Sequence, residues 1–297
     1  MTPRDFSLLF FVCLVWAAHT IISKIVVSGM EIPPLFYAAV RYALLTVIAL
    51  PWVFPLPRPL GRTALVGLLM GGGGFAFFFT GIRTATPSSS AIVLQLGIPM
   101  TALLSMAILG EMPDRKRWIG IALTFLGVVL VMWEPDGVVL SGGLLFIAAS
   151  AFAGSLAAVL MKGIRGVKPL QFQAWVGIAS VPPLAMLTAG LESGQFSKAL
   201  DAGWPFVAAV LFSAIIVSLL AHTVYYGLIL KYPANLIAPL MVMNPLMTVT
   251  LGIAVTGDPF DARMAAGTTI ALLGVLLVTL TREQVERAAA LVRGRRR

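Results

Sequence analysis

A chain of 297 residues that is 59% hydrophobic and only 11% charged does not have the composition of a water-soluble enzyme. Ten membrane spans of roughly 20 residues each would use about 200 residues and leave about 97 for tails and connections, which is too little for a folded extramembrane domain. The apolar content also excludes intrinsic disorder, and the single cysteine, Cys13, permits no intramolecular disulfide. A net charge of +9 would raise nucleic acid as a partner in a soluble chain, but a lipid bilayer accounts for it better, so no nucleic-acid partner is expected.

Apolar stretches bounded by Pro, Gly and charges predict spans over 6–28, 33–54, 63–82, 88–109, 117–133, 141–161, 170–190, 205–229, 234–255 and 264–281. The first has a long apolar run, a basic flank of Arg4 alone and no clear cleavage site, so it reads as a retained span and not as a signal peptide. With the N-terminus in the cytoplasm, sixteen Lys and Arg fall inside: Arg4, Arg58, Arg62, Arg115, Lys116, Arg117, Lys162, Arg165, Lys168, Lys231 and six in the tail. Only Arg83, Lys198 and Arg263 fall outside, an asymmetry that predicts cytoplasmic N- and C-termini. The tail after Thr281 either lies on anionic lipid or, the simpler reading, is solvated and helps retain the topology.

In the first span Trp16, Thr20, Ser23 and Lys24 follow helical spacing on the side of His19, a polar face within an apolar helix. Lipid cannot hydrogen-bond an imidazole, so His19 either lines a cavity or is satisfied by neighbouring helices. Lys24, nearer the outer end, can snorkel and is the weaker site candidate. In the second span Arg41 lies about 12 Å from the outer end at 1.5 Å per residue. It is either a carboxylate-binding group with paired donors or an architectural residue held by backbone carbonyls or edge acids, the latter being preferred.

The third span contains Gly71 to Gly74, with Gly71 and Gly74 as candidate hinges that permit close approach or bending, followed by Phe75 and Phe79 on a shared face. Gln95 and Pro99 in the fourth span recur as Met241 and Pro245 in the ninth, with Asn244 adjacent. Both prolines read first as hinges or kinks, although the carbonyls they free could bind a ligand. His222 in the eighth span has Ser218 four residues before it and Tyr225 three after, a second polar face. Trp16, Phe79, Trp175, Tyr225 and Met243 would suit a flat apolar substrate. The candidate substrate-binding set is therefore Trp16, His19, Thr20, Arg41, Phe75, Phe79, Gln95, Trp175, His222, Tyr225, Met243 and Asn244. Two histidines and one cysteine lack zinc-motif spacing, and no nucleophile has an adjacent base, so neither a metal, a cofactor nor an enzymatic activity is expected.

The chain repeats itself. Shifted by 146, Gly81, Pro87 and Pro99 meet Gly227, Pro233 and Pro245; shifted by 147, Glu111, Asp114, Gly120 and Leu126-Gly127-Val128 meet Asp258, Asp261, Gly267 and Leu273-Gly274-Val275. The openings agree more weakly, Leu8-Leu9-Phe10 with Leu144-Leu145-Phe146. A duplicated unit of five helices must enter the membrane from opposite sides in its two copies. The predicted fold is thus an all-α polytopic membrane protein of ten helices in two inverted repeats, 1–139 and 140–281, followed by a basic tail, 282–297.

The segments LVWAAHTIISKIV from Leu14, FYAAVRYALL from Phe36, ILGEMPDRKRWIGIALTFLGVVLV from Ile108 and GDPFDARMAAGTTIALLGVLLV from Gly257 resemble the EamA-type drug/metabolite transporter superfamily, and within it the YddG-type exporters of aromatic amino acids. The resemblance implies a bacterial inner-membrane carrier that expels small metabolites, amino acids foremost, through a central cavity.

None of the twelve carboxylates lies inside a predicted span, so facilitated diffusion, exchange or coupling through histidine is expected in place of a carboxylate proton relay. Rival readings are an exporter of cationic drugs, a nucleotide-sugar carrier, a channel-like pore, and a lipid-modifying enzyme or sensor. Missing intramembrane Glu, a weakly basic cavity and scattered loop acids count against the first, second and fourth. The partners expected are a small-molecule substrate and the bilayer, with a monomer as the working unit.

Overall fold

The computed structural model describes residues 1–133, 141–164, 166–232 and 234–280. Arg165, Pro233 and the basic tail, used in the sequence reading, lie outside the described residues, as do Glu134 and Asp136 among the twelve carboxylates. Ten long helices follow one another: α1 (Pro3–Gly29), α2 (Pro34–Trp52), α3 (Leu60–Ile82), α4 (Pro87–Leu109), α5 (Arg115–Met132), α6 (Gly142–Met161), α7 (Pro169–Leu191), α8 (Gln195–Ile229), α9 (Leu236–Thr256) and α10 (Ala262–Thr279). Among the described residues, nine are long and apolar enough to cross a membrane. The tenth, α5, has 18 residues and opens on Arg115, Lys116 and Arg117, which belong at a membrane edge. The chain is an all-α polytopic membrane protein built from two inverted repeats.

Helix ends are set by local chemistry. Proline opens α1, α2, α4 and α7, where its missing N–H costs nothing. Asp114 caps α5 by accepting from Arg117 N at 2.8 Å, and its repeat counterpart Asp261 caps α10 by accepting from Met264 N at 2.7 Å. Gly110 and Gly257, again counterparts, end α4 and α9 in the left-handed conformation at φ 71° and 66°.

The clearest expression of the duplication is the α5–α10 pair. A Cβ on Gly120 would stand 2.7 Å from the Gly274 carbonyl, and one on Gly127 would stand 2.6 Å from that of Gly267. Gly120 is the counterpart of Gly267 and Gly127 of Gly274, so each glycine packs on its partner's counterpart. That reciprocity defines a pseudo-two-fold axis between antiparallel helices, and small residues let the backbones meet.

Helices that carry the repeat to the centre are irregular at matching places. α3 contains a π turn at Leu69–Gly73 and α8 a longer one at Phe212–Ala221, which spans the counterpart positions. α4 breaks into Pro87–Val93 and Gly97–Leu109 around a 3₁₀ turn at Leu94–Leu96. α9 breaks into Ala234–Leu240 and Met243–Leu251 around a turn at Met241 and Val242. Pro99 and Pro245 sit in the first turn of each second half, where no intrahelical donor is needed. Gly71 lies in the π turn and Gly74 just after it. A Cβ on Gly71 would collide with Ser180 Oγ and stand 2.7 Å from Val176, so Gly71 allows α3 to lie directly against α7.

α8 begins earlier than its apolar run. Gln195–Ala202 forms a short segment that turns into the long helix at Gly203, whose φ of 57° and ψ of −137° suit glycine alone. Phe196, Leu200 and Trp204 are exposed there, as expected for a segment lying along a membrane surface.

Candidate functional site

The face carrying the chain's start is called here the terminal face, and the opposite one the far face. Two adjoining cavities lie at mid-height between the repeats. The larger, about 250 Å³, is lined by Trp16, His19 and Thr20 of α1, Met70, Gly74, Phe75 and Phe78 of α3, Leu94 of α4, Ser150 and Gly154 of α6, Val217 and His222 of α8 and Asn244 of α9. The smaller, about 170 Å³, is lined by Arg41 and Tyr42 of α2, Gln173 and Val176 of α7, and Ser218 and Tyr226 of α8, and it shares Met70, Phe75, Gly154 and His222 with the larger. Together they reach the lower end of the roughly 300–1,000 Å³ of small-molecule sites.

Arg41 is fully buried. Its Nε and Nη2 donate to Ser218 Oγ at 3.2 and 2.8 Å, its Nη1 donates to His19 Nε2 at 3.1 Å, and its guanidinium carbon sits 4.1 Å from the centre of the Phe75 ring. Neither backbone carbonyls nor edge acids hold it, the partners expected for an architectural arginine. Its partners are neutral side chains, and no described carboxylate comes within ion-pair distance of it. A guanidinium stays protonated, so its wall of the cavity keeps a full positive charge in a low-dielectric setting.

Arg41 also orients His19. Arginine can only donate, so His19 Nε2 accepts and the ring carries its proton on Nδ1. His222 is set the other way. Its Nδ1 lies 2.7 Å from the Val217 carbonyl, which can only accept, leaving Nε2 with its lone pair. The π turn supplies that carbonyl, which also receives the His222 backbone N–H.

Aromatic rings form the rest of the wall. Phe75 touches both cavities and meets His19 edge-on with 6.0 Å between centroids; Phe78 stacks on His19 at 6.4 Å; Trp16 lies 5.0 Å from His222. The Trp16 indole N–H is buried without an acceptor among the described residues. Asn244 donates to the Cys13 carbonyl at 3.1 Å across the break in α9, and Ser150 donates to the Gly74 carbonyl at 2.7 Å. No described carboxylate lines either cavity, and no described group of His, Cys, Asp and Glu could hold a metal ion.

Of the residues singled out from sequence, Trp16, His19, Thr20, Arg41, Phe75, His222, Asn244 and the glycine Gly74 line these cavities. Phe79, Gln95, Trp175, Tyr225 and Met243 do not. Phe79 is fully buried behind Phe75, against Tyr37 at 4.7 Å. Trp175 turns away to donate to the Val53 carbonyl at 3.3 Å. Leu94 reaches the cavity where Gln95 does not, and Met243 packs with Leu9, Leu228 and Ile237. Tyr225 stands edge-on to Trp16 at 5.0 Å, while Tyr226, four residues after His222 and eight after Ser218, shares their helix face. Met70, Phe78, Ser150, Gly154 and Gln173 were not anticipated. Only Gln173, a buried amide in an apolar span, carried a signal that could have marked it.

A third cavity of about 180 Å³ continues towards the terminal face, between Met161 and Ile164 at the end of α6, Phe172 of α7, and Tyr226 and Ile229 of α8. Tyr226 is the partition between it and the central pair. Towards the far face, by contrast, Gly81 and Gly143 bring α3 against α6 with no space for a Cβ.

Inverted repeats around a polar and aromatic cavity at mid-membrane are the architecture of a membrane transporter. Comparison with known proteins agrees: the model of the EamA-like transporter family matches residues 6–133 and again 140–280. This chain belongs to that family. It is similar to a "Probable amino-acid metabolite efflux pump" of Salmonella typhimurium, 26% identical over 290 residues, covering 93% of this chain and 95% of that protein. An "Uncharacterized inner membrane transporter YedA" of Escherichia coli is 25% identical over 284 residues, covering 93% and 90%. A protein solved by crystallography shares the fold with a TM-score of 0.65 at 18% identity, covering 96% of this chain and all of that one. The protein is a multi-pass membrane transporter and not an enzyme.

Proposed function

We propose that this transporter exports small carboxylate-bearing metabolites, neutral and aromatic amino acids foremost, across the bacterial inner membrane. One observation carries the reading: Arg41, a buried cation with no acidic partner among the described residues, faces a cavity whose other walls are aromatic and neutral. The two guanidinium N–H groups left over by Ser218 and His19 suit a carboxylate, and Trp16, Phe75 and Phe78 suit an apolar side chain. A positive wall disfavours cationic drugs. The amino-acid efflux named for the Salmonella relative supports the same class.

Transport would run by alternating access, the repeats exchanging which face is open, with both termini in the cytoplasm as the basic residues argue. Both halves of the cavity come from one chain, so a monomer suffices. With no described carboxylate at the cavity, uncoupled movement or exchange is the expected energetics. The test is counterflow of labelled phenylalanine, tryptophan and threonine in proteoliposomes, with and without a pH gradient. Saturable uptake accelerated by internal substrate and indifferent to pH is expected. Conductance without exchange would replace the carrier with a pore, and no uptake of any of the three would remove the amino-acid assignment.

A further inference from the structure

The two faces carry related polar residues in different states. At the far face Lys24 Nζ donates to the carbonyls of Ile82, Arg83 and Ala85 at 3.1, 3.1 and 2.9 Å, and Ser28 Oγ donates to Arg83 O at 2.7 Å. The last carbonyls of a helix have no intrahelical donor and carry its negative end, so an ammonium there ties α1 to the end of α3. Asp258 adds a second tie. It is buried, and its carboxylate accepts from Ser88 N at 2.7 Å, holding the end of α9 on the start of α4.

At the terminal face the first helix of the second repeat, α6, also ends on a lysine. Lys162 stands two residues past the position that the repeat pairs with Lys24. Among the described residues it does not hold the end of α8, the counterpart of α3. Instead its Nζ lies 2.9 Å from Glu111, the counterpart of Asp258, and both side chains are about half exposed, 51% and 56%. Between the end of α6 and the end of α8 lies the third cavity. No packing like that of α4 on α9 at the far face joins their halves at the terminal face, among the described residues. The terminal face has ties of its own, Lys231 and Tyr232 to Asp5 of α1 and Arg62 Nε to the Leu160 carbonyl at 2.8 Å, but among the described residues none of them joins the end of α6 to the end of α8.

We propose that Lys162 is the terminal-face latch: when α6 and α8 close over the third cavity, Lys162 leaves Glu111 for the carbonyls Leu228 to Lys231 at the end of α8, whose last helical turns run on to Lys231, as Lys24 now holds those at the end of α3. Leu228, Ile229 and Lys231 are the repeat counterparts of Ile82, Arg83 and Ala85. An exposed ion pair is weakly held, so Glu111 can release the lysine at small cost. The latch rests on the alternating-access reading above but not on the identity of the substrate.

The test reads the gap between α6 and α8 without substrate. Ile164→Cys and Ile229→Cys, introduced together in the full chain with Cys13→Ser and reconstituted in proteoliposomes, report closure as the rate of cross-linking. Lys24→Met releases the far face and should raise that rate roughly tenfold, the scale of a lost charge-assisted hydrogen bond. Lys162→Met should lower it, whereas Glu111→Gln, which frees the lysine, should raise it. If Lys162 and Glu111 form only a surface pair, removing either acts alike. Shifts of the same sign in Lys162→Met and Glu111→Gln, or identical rates in all the chains, would overturn the proposal. Should Lys162→Met fail to fold, Lys162→Ala and Lys162→Gln supply the same contrast, and Lys162→Arg should behave as the unsubstituted chain. Failure of amino-acid counterflow would leave these rates unchanged, so the two readings fail separately.

Discussion

The α5–α10 pair and the α2–α7 pair are both formed by counterpart helices, yet they have diverged in opposite ways. In the first, Gly120, Gly127, Gly267 and Gly274 keep the pseudo-two-fold contact on both sides of the axis. In the second, both helices open on Pro-Leu, at Pro34 and Pro169, and the same register sets Arg41 opposite Val176. Both residues line the smaller cavity, one a buried cation and the other a small apolar side chain. Symmetry persists where glycines on both helices let the two backbones meet. It is lost where the two helices line the smaller cavity.

The largest expected effect tests the symmetric side. Gly127→Leu forces a branched side chain into the backbone of α10 and should cost about 3 kcal/mol, read as a lowered melting temperature in detergent. On the asymmetric side, Arg41→Met should raise the half-saturation for counterflow on the order of 100-fold, the scale of truncating one partner of a buried charged contact. The empty protein should keep or gain stability in that variant, because an uncompensated buried charge is removed. Loss of stability there would mean that Arg41 belongs to the scaffold. Arg41→Lys should fall between, about tenfold, since an ammonium lacks the paired donors. Phe75→Ala, which opens both cavities and uncovers the guanidinium, should weaken counterflow about tenfold. Gly61→Ala, at a glycine with open space around it, should leave melting within about 0.5 kcal/mol.

Much of the scaffold was legible because its signals are local or periodic. Span lengths follow from hydrophobicity, and the matches of Asp114 with Asp261 and of Gly120 with Gly267 mark the duplication at a fixed offset. The early start of α8 was missed because Gln195–Ala202 is too polar to read as a span, though it joins the helix through Gly203. Site residues were legible only where a polar group is conspicuous in an apolar helix, as with His19, Arg41 and His222. Tyr225 was preferred to Tyr226 because regular spacing was assumed next to His222, and Ser218 to Tyr226 proved to be the lined face. Gly154 and Met70 gave no sign, since a cavity is made as much by what a small residue leaves open as by what a polar one offers.

By itself the sequence determined that the chain crosses a membrane, that its two halves are inverted copies, and which few polar groups lie buried, because hydrophobic runs, repeat offsets and stranded charges are properties of the chain read in order. Which of those groups meet, that Arg41 is held by His19 and Ser218 with no described acid beside it, and that Lys24 spans α1 and α3 while Lys162 pairs with Glu111, only the tertiary structure decided. Those facts depend on distances between residues far apart in the chain, from 22 to 177 positions in the case of Arg41, and on helix irregularities that turn one side chain inward and its neighbour away.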